Sequence, residues 1–392
     1  MTPEPIADAG SAAFAEPLRL TIPFGTRPEI VKLAPVISVL RAADWPLRLV
    51  FTGQHYDSAL GANFLDELDV RPDVQWSLPE GAGARFGGLL ERAVDEFAQA
   101  PKAEAVLLLG DTLTVPVFCL AARQARIPVI HLEAGLRSFN ETSMEEVNRK
   151  VAAATGQLHL APTALAERFL RAEGVPAERI RVVGNTVIDI LRSRGAQPVP
   201  PEERRGVLVT AHRASTVDQP DRLRTLVDTL TRIAEHTEHV TFPVHPRTRG
   251  RLTSLGLDET LRQAGVELTA PLAYDAMLRA TASSRVVVTD SGGLQEEASW
   301  LGVPVVVLRT STPRWEGVAA GSSVLVGLDG DLAVESVLRF SDPTEQHRVA
   351  QIPCPYGDGR TAERVLEVLA DPTVRPLLRL DEPDFIGKQV PR

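Results

Sequence analysis

Leu18-Arg19-Leu20-Thr21-Ile22-Pro23-Phe24-Gly25-Thr26-Arg27-Pro28-Glu29 passes from an apolar run through a glycine into a polar segment that contains proline. Glycine permits a tight turn at the end of a strand, and proline suits the first turn of a helix. Ile30, Leu33, Ile37 and Leu40 then recur at helical spacing, so a strand over 18–24 is expected to lead into a helix over 29–42. Outward from this unit the alternation repeats. Strands are expected at 47–52, 105–109, 128–132, 158–160 and 180–183, with another helix over 86–99. Short β-branched runs that alternate with longer amphipathic stretches are the rhythm of βα units around a parallel sheet.

The rhythm breaks at 194–205, where Gly195, Pro198, Pro200 and Pro201 stand among polar and charged residues, the composition of a linker. It then restarts, with strands expected at 206–210, 240–244, 285–289 and 304–308 and helices at 220–235, 274–282 and 294–301. A chain of 392 residues exceeds one core of ordinary size. Two doubly wound α/β domains in tandem follow, over 18–193 and 206–358, with the linker between them. Residues 1–17 are acidic and rich in alanine and proline, without the basic start and apolar core of a secretory signal, and read as a disordered tail.

The net charge of −9 argues against broad nucleic-acid binding, so an anionic ligand must find a local cationic pocket. No run of about 18 apolar residues is present to span a membrane. The two cysteines, Cys119 and Cys354, make a disulfide framework improbable and fit unreactive thiols in a reducing cytoplasm. No metal-ligand spacing, Walker-type phosphate loop or dinucleotide glycine pattern follows a strand, so neither a metal nor a redox cofactor is expected.

Four constellations sit at expected strand ends, where open α/β sheets bind ligands. In the first, Arg27 lies beside a helix N-terminus that favours phosphate, with Lys32 one turn on. The second is acidic: Asp111 and Glu133 follow strands that should neighbour each other, and Glu145 and Glu146 follow shortly after. Paired carboxylates in a crevice suit proton transfer or stabilisation of a sugar cation. Asp111 equally fits a helix cap, and Glu145 or Glu146 alone fits a solvated helical charge. The third joins His212 and Arg213 after one strand with His245 after the next; an imidazole there could protonate or bind a phosphate, or be structural. In the fourth, Ser291, Gly292 and Gly293 open a helix to a phosphate, and a carboxylate one turn on, Glu297, could accept from ribose hydroxyls.

Together with Gly110-Asp111-Thr112, His131 to Ser138, Glu145-Glu146-Val147-Asn148-Arg149, Gly184 to Asp189, Pro243 to Pro246 and Pro355 to Gly359, these segments resemble the non-hydrolysing UDP-N-acetylglucosamine 2-epimerases from about residue 18 to residue 369. The resemblance implies two Rossmann-like domains in the GT-B arrangement with the active site in the interdomain cleft. It also implies a C-terminal segment, 359–392, whose helix crosses back to the first domain, and a homodimer. By the same resemblance Asp111, Glu133, Glu145 and His212 would be catalytic. Arg27, Ser291, Gly292, Gly293 and Glu297 would hold UDP, with Lys32, Arg213, His245 and Arg314 also lining the substrate site. Thr312-Pro313-Arg314-Trp315-Glu316 departs from the family's Thr-Glu-Arg-Pro-Glu, and Gln54-His55-Tyr56-Asp57-Ser58-Ala59 departs from the segment that binds an activating second substrate in many members. The implied reaction is reversible conversion of UDP-GlcNAc to UDP-ManNAc without cofactor. A hydrolysing relative, an epimerase of a modified UDP-sugar such as a diacetamido uronic acid, a glycosyltransferase, and a silent UDP-sugar-binding protein are the other readings.

Overall fold

The computed structural model describes residues 16–53, 65, 68–79, 81–99 and 102–382. Most of the expected tail, the Gln54 to Ala59 segment and residues 383–392 lie outside the described residues. Two parallel sheets organise the rest. The first contains β1 (Leu20–Phe24), β2 (Leu47–Phe51), β3 (Val74–Gln75), β4 (Ala105–Leu109), β5 (Val129–Leu132), β6 (Leu158–Ala161) and β7 (Ile180–Val182) in the order β3-β2-β1-β4-β5-β6-β7. The second contains β8 (Val207–Thr210), β9 (Val240–Pro243), β10 (Val266–Thr269), β11 (Val286–Thr289), β12 (Val305–Val307) and β13 (Ser323–Leu325) in the order β10-β9-β8-β11-β12-β13.

Central strands such as β1, β4 and β11 are buried throughout, as continuous apolar runs covered by helices on both faces should be. The strands that the sequence pattern did not yield, β3, β10 and β13, are edge strands with partly exposed residues. Their apolar signal is diluted because only one neighbour covers them. The first helix starts two residues earlier than expected, at Arg27–Ala42, because Glu29 turns back to accept from the Thr26 N–H at 2.8 Å and so caps the helix.

Chain crossings join the domains twice. The linker is the first. The second runs from the second domain into helix Thr361–Ala370, which buries Ala362, Val365 and Leu369 in the same core as Leu20, Ile30, Leu33 and Ile37. Side chains also bridge the domains: Asn185 Nδ2 donates to Glu296 at 2.9 Å, Trp315 Nε1 to the Arg137 carbonyl at 2.9 Å, and Thr163 Oγ1 to Glu316 at 2.5 Å. Among the described residues no helix is long and apolar enough to cross a membrane.

Beneath the first sheet's ligand-facing end, His131 and His159 stand side by side in register on β5 and β6, both buried. His131 Nε2 donates to the Gly110 carbonyl at 2.8 Å, which orients the loop after β4. Burial lowers the two pKa values to about 4 and about 3. The folded protein keeps both rings neutral, whereas the unfolded chain takes up their protons near about pH 6.5. Their contribution is therefore complete above that pH and is lost below it, at about 1.4 kcal/mol per pH unit per histidine until each folded pKa is reached. Glu297, raised to about 7, works in the opposite sense, so a paired comparison is needed to isolate the histidine. Between about pH 7 and pH 5, wild type should lose more stability in urea titrations than His159→Gln. Parallel pH profiles would contradict this.

Candidate active site

In each sheet the strand order reverses once, between β1 and β4 and between β8 and β11. Crevices outside the carboxyl ends of strands at such reversals are where doubly wound folds bind ligands. The loops found there are Gly25 to Glu29, Gly110 to Thr112, His212-Arg213 and Asp290 to Gly293.

The first-domain wall is built on buried carboxylates. Glu29 Oε2 accepts from the Gly25 and Thr26 N–H groups and from Thr26 Oγ1, while Oε1 accepts from Thr112 Oγ1 at 2.7 Å. One carboxylate thus ties the loop after β1 to the loop that presents Asp111. Burial nevertheless pushes the Glu29 pKa up. Glu133 follows β5 in the left-handed region, with φ 62°, and is almost wholly buried. Gly135 beside it has φ 86°, and a Cβ there would lie 2.3 Å from the Ala166 carbonyl oxygen, so the turn requires glycine.

Lys32 Nζ meets Glu133 Oε1 at 2.6 Å. Burial alone would raise the Glu133 pKa, but Lys32 and Arg314 overcome it and hold the group below its ordinary value. A Cβ on Gly110 would stand 3.4 Å from Glu133 Oε2, so the Asp111 and Glu133 loops adjoin. Asp111 is ion-paired to Arg149, and its carbonyl accepts from Asn148 Nδ2 at 2.8 Å. Arg149 also binds Glu146 Oε2 at 2.6 Å, and that buried carboxylate accepts from Ser138 N–H, Ser138 Oγ and Phe139 N–H.

On the second-domain wall, buried Asp290 organises the histidine loop. Its Oδ2 accepts from the His212 and Arg213 N–H groups at 2.9 and 2.8 Å, and Oδ1 lies 3.2 Å from His212 Nδ1. His212 and His245 have ring centres 6.0 Å apart; both are exposed, and His245 caps helix Pro246–Ser254. Ser291 caps helix Gly292–Trp300, whose first N–H groups have no partner within the helix. Buried Arg314 donates to Glu296 at 2.9 Å and packs beneath Gly292. Glu297 accepts from the Tyr274 hydroxyl at 3.1 Å.

Two adjoining cavities open between these walls. One of about 300 Å³ is lined by His212, His245, Ser291, Gly293 and Glu297. The other, of about 430 Å³, adds Arg27 and Lys32 from the first domain and shares Tyr274, Gly293 and Glu297. The cleft therefore gathers Arg27, Lys32, His212, His245, Ser291, Gly293 and Glu297, with Gly292 and Arg314 behind the helix start and Asp111 and Glu133 in adjoining loops. Glu145 is an exposed residue in the first turn of helix Met144–Thr155, its carboxylate bonded to Ser143 Oγ and within electrostatic reach of Arg213 and Arg149. Among the described residues no three potential metal ligands cluster. Sequence reasoning missed Glu29, Arg149, Asp290, Glu296 and Tyr274 as site builders. The Glu146 and Arg149 spacing was the available signal for the Asp111 support.

Two doubly wound domains that face each other across an acidic and cationic cleft define a GT-B-type α/β protein. Comparison with known proteins makes the assignment narrower. The family model described as UDP-N-acetylglucosamine 2-epimerase matches residues 38–370, and the chain belongs to this family of isomerases. A relative from Methanocaldococcus jannaschii, named UDP-N-acetylglucosamine 2-epimerase, is 32% identical over 367 residues, covering 90% of this chain and 99% of the relative. A Pseudomonas aeruginosa relative, named UDP-2,3-diacetamido-2,3-dideoxy-D-glucuronate 2-epimerase, is 34% identical with the same coverages. The crystal structure of the M. jannaschii UDP-GlcNAc 2-epimerase in complex with UDP-GlcNAc and UDP superposes with a TM-score of 0.76 at 31% identity, covering 89% of this chain and 99% of that one. The Neisseria meningitidis enzyme bound to UDP-GlcNAc gives 0.77 at 30% identity with the same coverages.

Proposed function

We propose that this chain epimerises UDP-GlcNAc and UDP-ManNAc reversibly at carbon 2, retaining UDP over the cycle. The observation that carries the reading is the pairing of the Asp111 and Glu133 loops on one wall with the Ser291-Gly293 helix start on the other. The hydrogen on carbon 2 is not next to a carbonyl, so its removal requires positive character at carbon 1. As the bond from carbon 1 to the UDP oxygen breaks, that oxygen keeps the electron pair, and a carboxylate takes the proton from carbon 2. The product pair is UDP and a 2-acetamidoglucal. Return of a proton to the other face of carbon 2 and of the UDP oxygen to carbon 1 completes inversion.

In this reading Glu133 and Asp111 serve the proton steps, with Glu145 the third acid implied by family resemblance. His212 and Arg213, with Ser291 to Gly293, hold the departing diphosphate, and Glu297 holds the ribose. Lys32 and Arg27 line the substrate side, His245 supports His212, and Arg314 fixes the helix start through Glu296. The P. aeruginosa relative keeps a diacetamido uronate sugar as the second reading of the substrate.

Incubation with UDP-GlcNAc in deuterated water, followed by NMR and mass spectrometry, tests the reaction. UDP-ManNAc carrying deuterium at carbon 2 is the expected product. Free N-acetylmannosamine with UDP would select hydrolysis, and absence of exchange with UDP-GlcNAc but exchange with a diacetamido uronate sugar would select the second substrate. A cytoplasmic setting goes with the reading: both cysteines are free, and burial pushes the Cys119 thiol up to about 12 and Cys354 to about 11. A homodimer is supported by exposed Phe86, Leu120, Met144 and Val147 on three neighbouring helices, Ala82–Gln99, Thr114–Gln124 and Met144–Thr155. Sedimentation velocity reads the dimer directly.

A further inference from the structure

Arg309 follows β12 at the ligand-facing end of the second sheet and has no role so far. Its backbone is fixed on both sides: the N–H donates to the Val307 carbonyl at 2.8 Å, and its own carbonyl accepts from Gly327 N–H at 3.1 Å. Its side chain is not matched in the same way. Nη1 is buried and has no hydrogen-bond partner among the described residues. Native proteins leave few buried donors in that condition, because an N–H removed from water without an acceptor costs free energy.

The electrostatic surroundings are equally one-sided. Burial first, then the positive charges of Arg213, Arg314 and Arg149, push the Arg309 pKa down to about 10; Asp290 opposes them. These cations come from both domains, since Arg149 supports Asp111 in the first. Arg314 is matched by Glu296 and Arg149 by Asp111 and Glu146, while Asp290 Oδ2 is taken by two N–H groups and its buried Oδ1, 3.2 Å from His212 Nδ1, makes no hydrogen bond to Arg309. Arg309 is thus a charged donor, partly desolvated, in a cationic surrounding at the domain boundary.

We infer that Arg309 binds the diphosphate of the UDP-sugar and receives the charge that develops on it as the bond to carbon 1 breaks. This rests on the UDP-sugar reading of the cleft. A planar guanidinium matches phosphate oxygens through paired N–H donors, and it remains protonated at neutral pH. The bond-breaking step adds negative charge to the terminal phosphate oxygen. A cation placed there acts more strongly in the transition state than in the bound substrate, so its removal lowers turnover beyond what it does to binding.

The test is titration calorimetry of wild type, Arg309→Gln and Arg309→Lys with UDP and with uridine, together with steady-state kinetics on UDP-GlcNAc. Arg309→Gln should bind UDP roughly tenfold to a hundredfold more weakly and uridine as wild type does. Its kcat should fall as well as its UDP affinity, and Arg309→Lys should recover part of both. Unchanged UDP affinity in Arg309→Gln, with wild type binding UDP normally, overturns the assignment and leaves the UDP-sugar reading standing. An equal loss for UDP and uridine also overturns it, in favour of a structural role. Failure of wild type to bind UDP removes the underlying reading itself.

Discussion

Glu133→Gln lowers the rate of deuterium incorporation at carbon 2 by about 10²–10⁴-fold, the usual contribution of a positioned acid or base, while UDP affinity stays near that of wild type. The expectation follows from how the carboxylate is held. It is buried, yet Lys32 at 2.6 Å and the charge of Arg314 keep it ionised, so a base is ready inside the protein where water competes little. Glutamine keeps an oxygen to accept from Lys32 but cannot take the proton. Loss should therefore appear in kcat, with KM little changed. Exchange at the wild-type rate would take the proton step away from Glu133 and leave it with Asp111.

Glu146→Ala destabilises the protein by about 3–5 kcal/mol, whereas Glu145→Ala, one residue away, changes stability by no more than about 0.5 kcal/mol. Glu146 and Arg149 form a buried ion pair, and removing the carboxylate leaves a buried guanidinium short of a partner and strips three donors at Ser138 and Phe139 of their acceptor. Glu145 faces solvent. Activity of Glu146→Ala should also fall, since Arg149 then no longer holds Asp111 in one place. Urea titrations of the two variants make the comparison. Equal midpoints would mean that the Glu146-Arg149-Asp111 chain contributes nothing to folding.

The parts of the molecule that were legible in the sequence are those where one residue type has one structural use. Gly25 and Pro28 mark a strand-to-helix turn, and the apolar runs of β1, β4 and β11 have no other way to be buried. Motifs at strand ends fell at the two reversals of strand order or, for Glu133 after β5 and His245 after β9, one strand away. Edge strand β7 was legible, but the other three edge strands, β3, β10 and β13, were hidden, since half-covered segments alternate weakly. So were the charges that work inside the protein. Glu146 fits a solvated charge until tertiary packing covers it, Glu29 and Arg309 carry no mark of their buried roles, and nothing in composition distinguishes Glu146 from Glu145. Only the phase of the helix does that: Glu146, Arg149, Ala152 and Ala153 turn inward together. Trp315, a departure from the family pattern, spends its indole N–H on the Arg137 carbonyl of the other domain.

The two chain crossings between the domains have a mechanical meaning. A body tethered by one strand can swing and twist freely, but one tethered at two separate points turns mainly about the line that joins them. The linker and the returning segment before helix Thr361–Ala370 define such an axle, with the returning strand anchored by three apolar side chains in the far core. Two such tethers leave the domains one main axis of relative rotation, like that of a door. In the proposed reaction an intermediate split into two fragments has to recombine with opposite stereochemistry, and a chamber whose halves have little freedom to slide past each other suits that demand.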